Sequence, residues 1–198
     1  MKALLIIDIQ NDFLPGGALA VSGGDKVIPV INKLMEEPFD LIIASKDWHP
    51  HGHMSFADSH NKKPRDIISL KGNEQILWPQ HCIQNTYGAE FPKELHADRI
   101  EKVIYKGVDH NIDSYSAFYD NRHERSTGLA EFLREKKVDE VVIVGLATDY
   151  CVKFSALDAL HEGFKTTVIE EACRGVNLHP DDSRRAIDEM RSAGAIIQ

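Results

Sequence analysis

Cysteine is scarce in this 198-residue chain: Cys82, Cys151 and Cys173, odd in number and far apart. That excludes a disulfide framework and points to a reducing compartment with three free thiols. Long apolar runs are missing too. The opening MKALLIIDIQNDF carries only a short apolar stretch before Asp8, far below the ~20 residues of a membrane helix, and shows no signal-peptide cleavage pattern. The expected location is therefore cytoplasmic, without a membrane partner. Positive charge is in deficit, with 23 Lys and Arg against 31 Asp and Glu, a net −8. No basic block interrupts that acidity, so a nucleic-acid partner is not expected and a small molecule is. The glycine spacing of phosphate-binding loops is also lacking. Pro15-Gly16-Gly17 and Ser22-Gly23-Gly24 read as turns. What is plentiful is histidine: ten residues, four of them (His49, His51, His53, His60) within twelve positions.

Continuous apolar runs recur at 3–7, 40–44, 101–105, 139–146, 165–169 and 194–197, the mark of strands covered on both faces. Helical patterns lie between several of them, at 25–36, 126–137, 148–162 and 180–193. Strand and helix in alternation predict an α/β fold: three layers, α/β/α, around a mostly parallel sheet of about six strands, in one domain spanning 1–198. Segment 46–98 breaks the rhythm, and so long an irregular stretch in a compact domain is usually functional.

In open parallel sheets ligands bind beyond the carboxyl ends of the strands. The residues falling there are Asp8, Asp47 with His49, Lys106, and the segment Ala147–Cys151. In GLATDYCVKF, Thr148 is the expected N-cap, with Asp149 in the first turn and Cys151 close behind. At a helix N-terminus unpaired N–H groups and the helix dipole favour a thiolate and can hold an oxyanion. The alternative is a buried cysteine acting as a small hydrophobe, the reading that suits Cys82 and Cys173. Asp8 is either a base in low dielectric or an acceptor for loop amides; Asp12 caps the following loop. Lys106 alone reads as a solvated strand end. Together the three are more informative, because a thiol needs a proton acceptor and an ammonium keeps both partners charged.

Asp47 and His49 stand two apart, so in an extended segment their side chains share one side, and His51 and His53 continue the alternation. From the residues alone, this His-rich loop is as readily a hydrogen-bonded turn as a metal site. Imidazole plus carboxylate suits Zn, Fe or Mn.

IDIQNDF, SKDWHP, WPQHC, YKG and GLATDYCVKFSALDAL, in that order from residue 6 to about 177, resemble the nicotinamidase/pyrazinamidase branch of the isochorismatase-like cysteine hydrolases. The resemblance implies a triad of Asp8, Lys106 and Cys151. It implies a cis peptide before Ala147, with the amides of Ala147 and Cys151 as oxyanion hole. It also implies one divalent metal, zinc first with iron or manganese as alternatives, on Asp47, His49 and His81. His53 would be a further ligand or an outer support, and His51 matches nothing. Phe13, Trp78 and Tyr115 match ring-pocket positions. The activity implied is hydrolysis of nicotinamide, and also of pyrazinamide, through a Cys thioester, in NAD salvage. Relatives that cleave other small carboxamides, carbamoyl or ureido groups are the alternative within the superfamily. The rivals are a hydrolase attacking with metal-bound hydroxide, a non-catalytic binding or redox-sensing module built on the same fold with Cys151 as its oxidisable thiol, and a vinyl-ether hydrolase of the isochorismatase kind, which needs no nucleophilic thiol and against which Cys151 weighs. An acidic surface is compatible with a monomer or a homo-oligomer.

Overall fold

The computed structural model of the chain describes residues 1–70 and 72–198. Six strands form one sheet in the order β5-β2-β1-β6-β7-β8: β1 (Lys2–Ile7), β2 (Leu41–Asp47), β5 (Lys102–Lys106), β6 (Glu140–Leu146), β7 (Lys165–Arg174) and β8 (Ile196–Ile197). Every pairing within it is parallel. Among the described residues four α-helices lie beside the sheet: α1 (Val27–Leu34), α2 (Leu129–Glu135), α3 (Lys153–His161) and α4 (Asp182–Ser192). The expected α/β/α layering is what the chain adopts.

The apolar runs are continuous because the central strands bury side chains on both faces. On one face Leu5, Ile7, Ile43, Val141 and Ile143 pack with residues of α2, α3 and α4, such as Leu133, Ala156 and Met190. On the other, Leu4, Ile6, Ile42, Val142 and Val144 pack with Val27, Ile28 and Ile31 of α1. Each Leu, Ile, Val or Met among them contributes about 1.5–3 kcal/mol of burial free energy. Among the described residues no helix is long and apolar enough to cross a membrane.

Three expectations need correction. The strand over 165–169 runs on to Arg174; its later part, IEEACR, exposes Glu170 and Glu171, buries Ala172 and Cys173, and pairs with β6 beyond a bulge. The irregular stretch 46–98 contains a small antiparallel pair, β3 (Ile67–Leu70) and β4 (Asn73–Ile76), each only four residues long and so too short to stand out as a strand in the sequence. The helix expected over 148–162 is two elements, a π-turn over Thr148–Val152 followed by α3. Ala147, not Thr148, occupies the capping position, and no side chain caps it. Asp149 instead accepts hydrogen bonds from the amides of Val176 (2.9 Å) and Asn177 (2.7 Å), tying the turn to the loop after β7.

Strand register brings the chemistry together. Asp47 is the partner of Lys106 in the β2–β5 pairing, and Ile7 is the partner of Gly145. Asp8, Asp47, Lys106 and the turn holding Cys151 therefore leave four adjacent strands at one edge. Gly145 permits this: at φ +122° its strand approaches β1 so closely that a Cβ would lie 2.1 Å from the Ile7 carbonyl oxygen, space only glycine leaves free.

Candidate active site

Lys106 is the centre of the site. Its Nζ, fully buried, lies 2.8 Å from Asp8 Oδ2 and 2.5 Å from Asp47 Oδ1. It also donates to the Ser114 carbonyl at 2.9 Å and to Cys151 Sγ at 3.4 Å. Burial works against its charge, but Asp47, Asp8 and Cys151 outweigh burial and hold the ammonium well above the ordinary lysine range. The solvated strand-end reading of Lys106 is thereby excluded.

Asp8 sits at φ +48° just past β1. Its Oδ1 accepts the Ser45 hydroxyl at 2.7 Å, and its amide donates to that hydroxyl at 3.3 Å. Oδ2 is buried, accepts no well-directed hydrogen bond, and lies 2.8 Å from the Lys106 ammonium. Burial lifts this carboxyl above its ordinary range; Lys106 pulls against burial, and the charge of Asp47 adds to the lift. A carboxylate so disposed is a proton acceptor with a lone pair to spare. One oxygen of Asp8, one of Asp47 and Cys151 Sγ all lie within 4.8 Å of one another. Burial also pushes the Cys151 thiol well up, with Lys106 pulling it down and Asp8 and Asp47 raising it further. At rest the sulfur therefore keeps its proton, with both its acceptor and its counter-charge within reach.

Asp47 has the opposite balance. Burial would raise its carboxyl, but Lys106 and then His49 overcome this and hold it well below the carboxylate range. Its backbone is clamped by Gln10, fully buried: Gln10 Nε2 donates to the Asp47 carbonyl (2.8 Å) and the Ala89 carbonyl (3.0 Å), while Oε1 accepts the Asp47 amide (2.8 Å). No motif in the sequence marks Gln10 as a site residue. The available signal was an uncharged amide two residues beyond Asp8. Asp12 does cap its loop, accepting the amides of Ala18 (3.3 Å) and Cys82 (2.7 Å).

Beyond β2 the chain runs beside residues 82–84, with the His49 amide donating to the Cys82 carbonyl at 3.0 Å. This carries His81 across to His49, ring centroids 4.9 Å apart. His49 Nδ1 donates to the Gly107 carbonyl (2.9 Å) and His81 Nδ1 to the Pro79 carbonyl (2.8 Å). Both rings thus turn Nε2 toward Asp47 Oδ2, each at 3.7 Å. His49 Nε2 is buried with no hydrogen-bond partner. Two imidazole lone pairs converging on one carboxylate, with one orphaned in the interior, fit a divalent cation. A Cβ on Gly107 (φ +63°) would stand 2.4 Å from the His49 ring, so glycine after Lys106 is what lets that ring seat.

The expected alternation through His51 and His53 does not hold, because Pro50–His53 is a turn closed by the His53 amide on the Pro50 carbonyl. His51 is exposed. His53 is buried with both ring nitrogens engaged: Nδ1 accepts from Ser55 Oγ (2.7 Å) and Nε2 donates to the Asp109 carbonyl (2.8 Å). Burial brings it down to about 4, so at neutral pH it is an uncharged plate against His49, ring centroids 4.4 Å apart.

A cleft with about 400 Å³ of empty space, its mouth included, opens onto Cys151, Ala147, Asp47 and His81. Phe13, Trp78 and Tyr115 all line it, and Trp78 Nε1 donates to the Tyr115 hydroxyl at 3.0 Å. The peptide between Leu146 and Ala147 is cis. Tyr150 packs edge-on against Trp78, ring centroids 5.1 Å apart, and with Leu19, Asp113 and Val176 it completes the lining. Those four were not anticipated. Tyr150 stood beside the nucleophile as a signal, while nothing near Leu19 or Val176 marked them.

A model of the isochorismatase domain matches residues 2–198. The chain belongs to the isochorismatase family. Within that family it is 48% identical over 199 residues to the nicotinamidase of Escherichia coli, covering 99% of this chain and 93% of that one. The yeast nicotinamidase bound to the inhibitor nicotinaldehyde superposes with a TM-score of 0.94 at 33% identity, covering 100% of this chain and 99% of that one. The pyrazinamidase of Pyrococcus horikoshii in complex with zinc superposes with a TM-score of 0.81 at 40% identity, covering 100% and 98%.

Proposed function

We propose that this member of the isochorismatase family hydrolyses nicotinamide to nicotinate and ammonia through a thioester on Cys151, with pyrazinamide as a second substrate. Asp8 Oδ2 takes the Cys151 proton and the sulfur attacks the carboxamide carbon. Lys106 balances the negative charge that forms beside it. The amides of Ala147 and Cys151 hold the oxyanion. As the C–N bond breaks, Asp8 returns the proton to the departing ammonia. Water, deprotonated by Asp8, then attacks the thioester and frees the carboxylate and the thiol. Phe13, Trp78 and Tyr115 hold the flat ring. Asp47, His49 and His81 would hold a divalent metal, zinc first and iron or manganese next, which supplies a Lewis-acidic anchor for a ring nitrogen. Three buried free thiols fit a reducing, cytoplasmic setting.

The observation that carries this reading is Lys106 Nζ at 2.8 Å from Asp8 and 3.4 Å from Cys151: base, counter-ion and sulfur share one buried contact at the wall of an aromatic cleft. It is supported by relatives named for nicotinamide hydrolysis across nearly the whole chain. The test is ammonia release from nicotinamide by metal-loaded protein. Cys151→Ala should lower it by about three orders of magnitude or more, and an electrophilic pyridine analogue should add mass at Cys151. Retained turnover in that variant, or mass gained only at Cys82 or Cys173, overturns the reading.

A further inference from the structure

Asp113 was not singled out from the sequence, and the mechanism above does not use it. It lies in the loop after Lys106, 4% exposed, and lines the same cleft as Cys151. Its Oδ1 accepts the Ser114 amide at 2.8 Å and stands 3.9 Å from His49 Nε2. That nitrogen is the buried atom without a hydrogen-bond partner, so it faces two carboxylates, Asp47 at 3.7 Å and Asp113 at 3.9 Å.

Donor atoms of His49, His53 and Asp113 fall within 4.8 Å of one another, as do those of Asp47, His49 and His81. His49 has one lone pair to give, because Nδ1 is spent on Gly107. His53 is also spent, on Ser55 and the Asp109 carbonyl. The second cluster is therefore no separate metal site. What it adds to the first is one carboxylate, facing the same nitrogen of the shared histidine.

We infer that Asp113 is an outer carboxylate of the metal site: it lends negative charge, and an acceptor for solvent in the cation's open positions, to an ion held by Asp47, His49 and His81. Charge makes the role necessary. Asp47 is the single carboxylate among those three holders, and its other oxygen is taken by Lys106 at 2.5 Å, so it offers a dication little net compensation. Asp113 supplies what Lys106 withdraws. Outer partners of this kind are typically worth about 10–100-fold in metal affinity.

The inference rests on the proposed metal site and is tested apart from catalysis. Protein stripped by chelator and titrated with zinc against a chromophoric chelator gives the affinity directly. Asp113→Asn keeps an acceptor for the Ser114 amide and removes the charge; Asp113→Ser does the same with a shorter side chain if the amide variant fails to fold. Either should weaken zinc by about tenfold or more, and the visible spectrum of the cobalt-loaded variant should differ from that of the parent. Unchanged zinc affinity with an unchanged cobalt spectrum overturns the inference if Asp47→Asn loses the metal. If Asp47→Asn also binds zinc as tightly as the parent, the metal site itself falls.

Discussion

The two ends of the sheet treat charge in opposite ways. At the amino ends of β1, β6 and β7, Lys165 pairs with Glu140 at 3.0 Å and Lys2 with Glu140 at 3.4 Å, with the lysines 62% and 46% exposed. At the carboxyl ends, Lys106, Asp8 and Asp47 pair at similar distances with almost no exposure. The strands are the same; the solvent differs. Exposed pairs are each worth about 0–1 kcal/mol and are screened by salt, so the amino end is a solvated rim that any sheet of this kind tolerates. Buried charges cost several kcal/mol each to desolvate and are repaid only by close, complete pairing. One cation serving two carboxylates and a thiol is that pairing, and it leaves Asp8 raised and Asp47 lowered within one cluster. Two carboxyl groups pushed apart by their surroundings can divide the labour of base and cation holder.

Removing the shared cation should have the largest effect. Lys106→Met leaves two buried carboxylates facing each other, so urea denaturation should show a loss of about 3–5 kcal/mol, and ammonia release should fall by about 100-fold or more. The equivalent deletion at the amino end, Lys165→Ala, should change stability by about 0.5 kcal/mol or less, a Tm change of about 2 °C at most. Comparable losses at both ends would erase the distinction. Between these extremes stands Gln10→Met, which keeps volume but orphans the backbone amide and carbonyl of Asp47. A cost of about 1–3 kcal/mol per orphaned group is expected in urea, along with weaker zinc binding, because Asp47 is aimed by its backbone. A Gln10 variant with parental stability and metal affinity would show that the clamp is redundant.

The same contrast decides what the sequence could reveal. Strand-borne residues were legible, because an apolar run ending in Asp8, Asp47 or Lys106 announces both the strand and the edge where ligands bind. Cys151 was found by its place after β6, although the expected Thr148 cap is instead the first residue of a π-turn whose capping position is Ala147. Loop-borne parts were legible only where a motif marked them, as with His81 in WPQHC. Asp113 lies in GVDHNIDS, which has no periodicity; its approach to His49 depends on Gly107 yielding space to an imidazole 58 residues earlier in the chain, and no local pattern encodes such a contact. The turn at Pro50–His53 likewise broke an alternation that assumed extended chain.

Acid separates the two ends by sign. Asp8 carries a raised value, so its base form is lost as pH falls through a point above the ordinary ~3.9 of an aspartate. The acid limb of kcat/KM should therefore lie above that value, since a protonated Asp8 has no lone pair for the Cys151 hydrogen. Glu140 is shifted the other way, held below its usual range first by the Lys165 hydrogen bond against a smaller effect of burial. A carboxyl lowered on folding contributes stability that is complete above its unfolded value of ~4.3 and drains away as pH falls through the lower folded value. Activity should thus fail while the amino-end pairing is still intact. Kinetics and circular dichroism recorded over one pH series would show this as an inactivation midpoint above any structural one, and Glu140→Gln should leave the kinetic midpoint unmoved. Coincident midpoints would mean that acid inactivates this chain by unfolding it, and that the raised carboxyl at the carboxyl end of β1 does not set the limb.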